Sequence, residues 1–372
     1  MKAVAPLRSP FATISARALT REFAFLSLQL NRFSSPNGLE TFGKALAGSR
    51  GRNVEQELGL TSRTIPYNQA YHRFAVFLAV ATLMLIVLGA LVTSNDAGLS
   101  VPDWPTSFGS LYKIPPMVGG VKYEHGHRMF AEFIGLLIIV MAVWTQRVEQ
   151  RQWMKALGWI ALAAVIGQGV LGGLTVLFYL PWAISTAHAT LAQTIFCVVV
   201  AMALFTSKGW LQDSEPIAES GLTPSTLALT TITAACVWVQ LILGAAFRHS
   251  GIKLLPHLIG ACVVTAMLCW TVVRVLSRYG NVDQLRKPAQ TVLALLMIQL
   301  GLGFFAYLTR LQWGKDAVQP LAEMIFSTVS HVAGGALVLA TTVVLAIQTR
   351  RMISVHSSEA VMTTSPRKAV TA

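Results

Sequence analysis

Gln168-Gly169-Val170-Leu171-Gly172-Gly173-Leu174-Thr175-Val176-Leu177, followed past Pro181 by His188-Ala189, is the stretch on which the reading of this chain turns. It closes one long apolar run and its histidine opens the next. A helix needs about 20 apolar residues to cross the hydrocarbon core of a bilayer. Runs of that length recur eight times, near 74–93, 127–146, 156–178, 183–206, 225–247, 255–276, 289–309 and 324–347. Backbone groups cannot stay unpaired in lipid, and these runs are too long and too continuously apolar for barrel strands, so helices are expected.

The same punctuation recurs along the chain. Leu-Gly lies near the end of each odd-numbered helix, at Leu88-Gly89, Leu171-Gly172, Leu243-Gly244 and Leu302-Gly303. In three of the four a glutamine stands four residues before the glycine, at Gln168, Gln240 and Gln299. A histidine lies near the start of each even-numbered helix: His127, His188, His257 and His331. Four copies of this unit make an all-α polytopic membrane protein of eight transmembrane helices, most simply two pseudo-twofold-related four-helix bundles. The expected division is a basic, disordered N-terminal extension over 1–72, a first bundle over 73–206, a cytoplasmic linker over 207–224, a second bundle over 225–347 and a disordered tail over 348–372.

Composition agrees. Of 372 residues 54% are hydrophobic and 12% charged, against roughly a quarter charged in a soluble domain. This excludes a soluble enzyme, a secreted disulfide scaffold and a disordered chain. The net charge of +13 would point a soluble protein towards nucleic acid. Its placement says otherwise. Up to Arg73 there are ten Lys/Arg against four acids, and from Arg350 onward four against one, so the tails hold nine of the thirteen excess charges. The expected partner is therefore the lipid bilayer, and no nucleic acid. With the N-terminus cytoplasmic, the inner side carries twelve Lys/Arg and the outer side seven, which favours both termini inside, in the cell membrane of a bacterium. A transit peptide in the first 70 residues, and with it a mitochondrial inner membrane, ranks below a disordered tail or an early start codon.

A small residue near a helix end serves close packing, but an ionisable residue inside a membrane helix is costly and marks function. Four histidines at equivalent positions strengthen that reading; His72, His125, His249 and His356 do not fit the repeat. Two facing pairs could each grip a haem iron axially. Zinc would usually recruit cysteines or carboxylates in tetrahedral array. Cys197, Cys236, Cys262 and Cys269 all fall within apolar helices without a C-x-x-C spacing, and read as buried thiols. The long first outer loop contains Asp103-Trp104-Pro105 and leads into Glu124-His125-Gly126-His127-Arg128. Glu124 and His127 share a helix face. Glu124 is either a general base beside the metal or a solvated acid at a helix start.

Gly98-Leu99-Ser100 with Asp103-Trp104-Pro105, the Glu-x-x-His-Arg of 124–128, and the Leu-Gly-Gly-Leu-Thr-Val helix with its following histidine resemble the haem A synthase family of cytochrome oxidase assembly proteins. The resemblance covers about 73–347. It implies oxidation of the C8 methyl of haem O to a formyl group, giving haem A. It also implies that His127 and His188 bind the substrate haem, that His257 and His331 bind a resident haem b, and that Glu124 is catalytic, taking protons as water or an oxygen species attacks the methyl carbon. The haem O synthase that supplies the substrate is an implied partner, and a homo-oligomer is left open. Arg128 and Arg248, at the outer rim, are candidates for propionate contacts, since an Arg fork matches a carboxylate; the alternative is snorkelling to the interface.

The chain departs from the family twice. Many bacterial members place a cysteine pair in the first outer loop, and no outer loop here contains Cys. The loop before His257 is short and lacks a counterpart of Glu124, which fits one reactive and one electron-holding bundle. Three rivals remain. A bis-histidine di-haem electron carrier without haem-modifying activity should place haems near both membrane faces, whereas all four repeat histidines fall on one. A transporter should show broken helices and mid-membrane charges, whereas Glu132 is the one acidic residue well inside a helix. A purely structural assembly factor leaves the repeated histidines unexplained.

Overall fold

The computed structural model describes residues 66–212 and 214–355. Most of the expected N-terminal extension and the tail from 356 lie outside the described residues. Eight helices are long and apolar enough to cross a membrane. They are α1 (Gln69–Ser94), α2 (Val121–Val148), α3 (Gln152–Leu177) and α4 (Trp182–Phe205), then α5 (Thr226–Arg248), α6 (Leu254–Tyr279), α7 (Asp283–Tyr307) and α8 (Ala322–Met352). α1 begins behind Asn68, whose side chain accepts from the Tyr71 N–H at 3.0 Å, and α5 behind Ser225, which caps Ala228 at 3.2 Å. Such side-chain oxygens satisfy amide groups that the first helical turn leaves unpaired.

α1 packs on α2 and α4, and α3 fills the other flank between α2 and α4. α5 packs on α6 and α8, with α7 between α6 and α8. α8 also touches α1 and α4, and α4 touches α5. One apolar core lies among α1–α4 around Leu78, Ile134, Ile138, Met154 and Met202. A second, around Leu268, Val292, Leu296 and Leu339, reaches across to Ile86 and Phe196. Buried hydroxyls inside the helices return their protons to backbone carbonyls four residues back, as Thr82, Thr190 and Thr342 do at 2.7–2.8 Å. In lipid that internal pairing is the cheapest available. Others join helices: Tyr71 and Thr145 at 2.7 Å, Thr233 and Thr271 at 2.7 Å.

The flanks of the helices carry exposed Val80, Leu136, Ile166, Val273 and Phe304, an apolar surface suited to acyl chains. This corrects the reading of the cysteines as buried. Cys197 is buried and Cys236 half-buried, but Cys262 and Cys269 are exposed on α6. Sequence hydrophobicity does not separate a lipid-facing position from a core one, because the lipid is itself apolar.

Order extends beyond the expected second bundle. α8 runs to Met352, and Ile353–Val355 (β2) pairs in parallel with Ile217–Glu219 (β1), inside the segment between α4 and α5. The carboxylate of Glu219 accepts from the Tyr279 hydroxyl at 2.5 Å and from the Thr226 N–H at 2.7 Å. Burial pushes this carboxyl up, but the bonds from Thr226 and Tyr279 outweigh it and hold Glu219 below the usual carboxylate range.

Candidate functional site

The four repeat histidines sit within the first three turns of α2, α4, α6 and α8, all towards the face that carries the loops at 95–120, 178–181, 249–253 and 314–321. Each ring lies on the glycine of its own Leu-Gly pair. A Cβ on Gly89 would stand 3.1 Å from Cε1 of His127, one on Gly172 3.0 Å from Cε1 of His188, and ones on Gly244 and Gly303 2.9 Å from Cε1 of His257 and His331. The glycines therefore do more than bring helices together: each leaves the space that one imidazole fills. Each Leu-Gly glycine and its His, 13 to 38 residues apart in the chain, are one contact repeated four times.

The glutamines complete the unit. The Nε2 amide of Gln168 donates to the backbone carbonyl of His188 at 3.0 Å, that of Gln240 to His257 at 2.8 Å, and that of Gln299 to His331 at 3.0 Å. The same amide nitrogens lie 3.4 Å from Nε2 of His188, 3.0 Å from Nδ1 of His257 and 3.5 Å from Nε2 of His331. His127 has no such partner: Leu85 stands where the glutamine would be.

These side chains fit a haem iron. The Nδ1 atoms of His127, His188 and His331 are buried without a hydrogen-bond partner, a costly state unless something else takes up the ring's polarity. The ring centroids of His257 and His331 are 6.4 Å apart. Two imidazoles each bound at about 2 Å to one metal between them would stand at about that separation. Among the described residues no three or more His, Cys, Asp or Glu gather as a metal-binding group.

The first loop folds down onto this face. Asp103 organises its tip, accepting from the N–H groups of Phe108 at 2.7 Å and Gly109 at 2.8 Å and from the Thr106 hydroxyl. Its slight desolvation would raise its pKa, but these bonds prevail and hold Asp103 below the usual range. The Trp104 ring lies against Gly173, leaving no room for a Cβ there. The Ser107 hydroxyl and Nδ1 of His125 are 3.1 Å apart.

Glu124 is 4% exposed. Because α2 begins at Val121 rather than near 127, Glu124 sits inside the first turn, and the loop closes over it. One carboxylate oxygen accepts from the Val101 N–H at 2.8 Å and the other from Nη2 of Arg128 at 2.5 Å. The solvated helix-start acid is thereby set aside. Arg128 also donates to the carbonyls of Asp103 at 2.7 Å, Thr106 at 3.2 Å and Val101 at 3.2 Å. Arg128, a candidate for a propionate contact, has both terminal nitrogens committed to the loop and to Glu124.

Arg248 keeps more capacity. It donates from Nη2 to the Ser94 hydroxyl at 2.9 Å, and Ser94 in turn meets Thr328 at 2.9 Å. Arg310, one of the seven outer Lys/Arg, lies on this side as well. It lies in a π-helical turn, Leu308–Trp313, that continues α7, and its Nε and Nη2 are buried without partners. π-turns cluster at functional sites, and no sequence period announces one.

Comparison with known proteins points the same way. The family model described as cytochrome oxidase assembly protein matches residues 121–256. A haem A synthase of Symbiobacterium thermophilum is 28% identical over 275 residues, covering 64% of this chain and 88% of that protein. Haem A synthases of Alkalihalophilus pseudofirmus and Shouchella clausii are 28% and 31% identical over 133 and 130 residues. Those two matches cover 35% and 34% of this chain, and 44% and 43% of the relatives, less than half their length.

Proposed function

We infer, from the premise that this chain belongs to the haem A synthase family of cytochrome oxidase assembly proteins, that it oxidises the C8 methyl of haem O to a formyl group and so makes haem A for cytochrome oxidase. The observation that carries this reading is the fourfold contact of an imidazole lying on the glycine of a Leu-Gly pair. It supplies two pairs of ligands at one end of the helices, and the closed cycle of neighbours within α1–α4 and within α5–α8 supports one pair in each of two bundles.

In this proposal His127 and His188 hold the substrate haem, and His257 and His331 a resident haem b. Bound there, haem b would supply one-electron chemistry. The side chains divide the remaining work. Glu124, buried one turn from His127 on α2, accepts a proton from the species that adds to the methyl carbon. Arg128 and the Val101 N–H hold Glu124 in place, and the loop they fasten keeps bulk water from the pocket. Arg248 and Arg310 offer unspent N–H groups to propionates. The protein would be a multi-pass protein of the bacterial cell membrane with cytoplasmic termini, supplied by a haem O synthase.

Extraction of the purified protein's haems with acidic acetone and their separation tests the reading. Haem b together with haem O, its hydroxylated derivative or haem A is expected; haem b alone at two per chain would instead favour the electron carrier. Glu124→Gln should retain haem and the loop, because the amide oxygen still accepts from Val101, yet stop product formation. Unchanged product would remove Glu124 from the mechanism.

A further inference from the structure

We propose that the glutamines sort the four histidines into fixed and releasable ligands, and that His127 is the releasable one. The inference rests on the reading that His127 and His188 hold the substrate haem.

Three histidines are gripped twice, on the glycine by the ring and by a glutamine amide at the carbonyl and beside a ring nitrogen. In the second half the grip is reinforced. Gly260 and Gly334, each three residues past its histidine, make room for the amide; a Cβ there would overlap Oε1 of Gln240 or Gln299. The corresponding first-half positions are Phe130 and Leu191. In the first unit the amide itself is missing. Leu85 lies four residues before Gly89, on the same helical face, and packs into the α1–α4 core. It offers no donor, and the His127 ring makes no hydrogen bond among the described residues.

A partner fastened to a metal-binding residue holds it in place; here the glutamine amide does so through the histidine's own carbonyl. A ring without one turns away from an axial position more cheaply. When His127 leaves, its iron–nitrogen bond breaks, the neutral imidazole keeps its electron pair, and a small neutral ligand can take the vacated position. That position lies on the α2 side, which also carries Glu124. The sorting suits the roles. A substrate haem must be bound and released in every turnover, whereas a resident haem is not.

Carbon monoxide binding to the dithionite-reduced holoprotein reads this directly, since a haem with two axial histidines accepts it only when one departs. In the wild type the haem lost in His127→Ala and His188→Ala should take up carbon monoxide, and the one lost in His331→Ala should not. Leu85→Gln supplies the missing amide and should lower carbon monoxide affinity about five- to tenfold, roughly the worth of one buried hydrogen bond, with haem content unchanged. Leu85→Met controls for packing. Gln168→Leu removes an existing grip and should raise the affinity by a similar factor, and it decides the matter alone if Leu85→Gln does not fold. Gln299→Leu should let the second haem bind carbon monoxide. If the affinity stays within about twofold of wild type in both first-half variants, or carbon monoxide goes first to the second-half haem, the sorting is wrong. If His127→Ala and His188→Ala each retain both haems, the ligand assignment beneath it has failed instead.

Discussion

The halves α1–α4 and α5–α8 are built from the same unit and differ in what surrounds it. Between α1 and α2 lies a folded loop fastened by Arg128 and Glu124, and only one of the two histidines in that half has a glutamine. Between α5 and α6 the chain turns in five residues, 249–253, both histidines have glutamines, and two arginines lie close to that end of the helices. A repeated scaffold thus fixes where the imidazoles go, and the unrepeated parts decide how firmly each is held and what can approach it.

Several substitutions would break or sharpen this contrast. The largest effect is expected from Arg128→Ala. It strands a buried carboxylate and frees three loop carbonyls, and breaking a buried ion pair on one side costs about 3–5 kcal/mol. Denaturation of the detergent-solubilised protein should show the loss, and proteolysis should begin within 101–116 while the second-half haem is retained. A loop that stays protected would mean Arg128 is not its fastening.

A smaller and more discriminating effect is expected from the glycines. Gly303→Ala would press a methyl to 2.9 Å from a ring gripped by Gln299, and overpacking of this kind costs about 1–3 kcal/mol. Gly89→Ala presses on the ungripped His127 from 3.1 Å, and that ring can give way. Haem loss to an apoglobin scavenger should therefore accelerate more, for its own haem, in Gly303→Ala. Equal acceleration would erase the distinction between the halves.

Thr233→Ala should cost about 0.5–1.5 kcal/mol, the worth of its bond to Thr271, and touch the second half alone. The smallest effect concerns Glu219. Its folded pKa lies below the unfolded value, so its contribution is present above the ordinary carboxylate range and is lost as pH falls through the lowered folded value. Melting temperatures at pH 7 and pH 4 should differ less in Glu219→Gln than in the wild type.

The eight helices and the four glycine–histidine positions were legible because they rest on run length and strict recurrence. The pairing of each glycine with its own histidine was only implicit, since the recurrence fixes register but not contact. The start of α2 was missed because its first turn is polar: Lys122, Glu124 and His125 look like loop until the 95–120 segment covers them. The commitment of Arg128 follows from the path of that loop, to which no sequence period corresponds. The exposure of Cys262 and Cys269 was hidden by the sameness of lipid and core. The pairing of 217–219 with 353–355 joins segments more than a hundred residues apart that share no motif.

The position of α8 sets an order in time. It is synthesised last of the eight helices, yet it touches α1, α4, α5 and α7, and the strand that follows it returns to the segment between the halves. Both first-half histidines have left the ribosome once α4 is complete, whereas His331 emerges only with α8. During biogenesis the first-half histidine pocket can therefore be assembled while the second-half pocket still lacks a wall. Insertion of the last helix would close that pocket and dock the two halves in a single event.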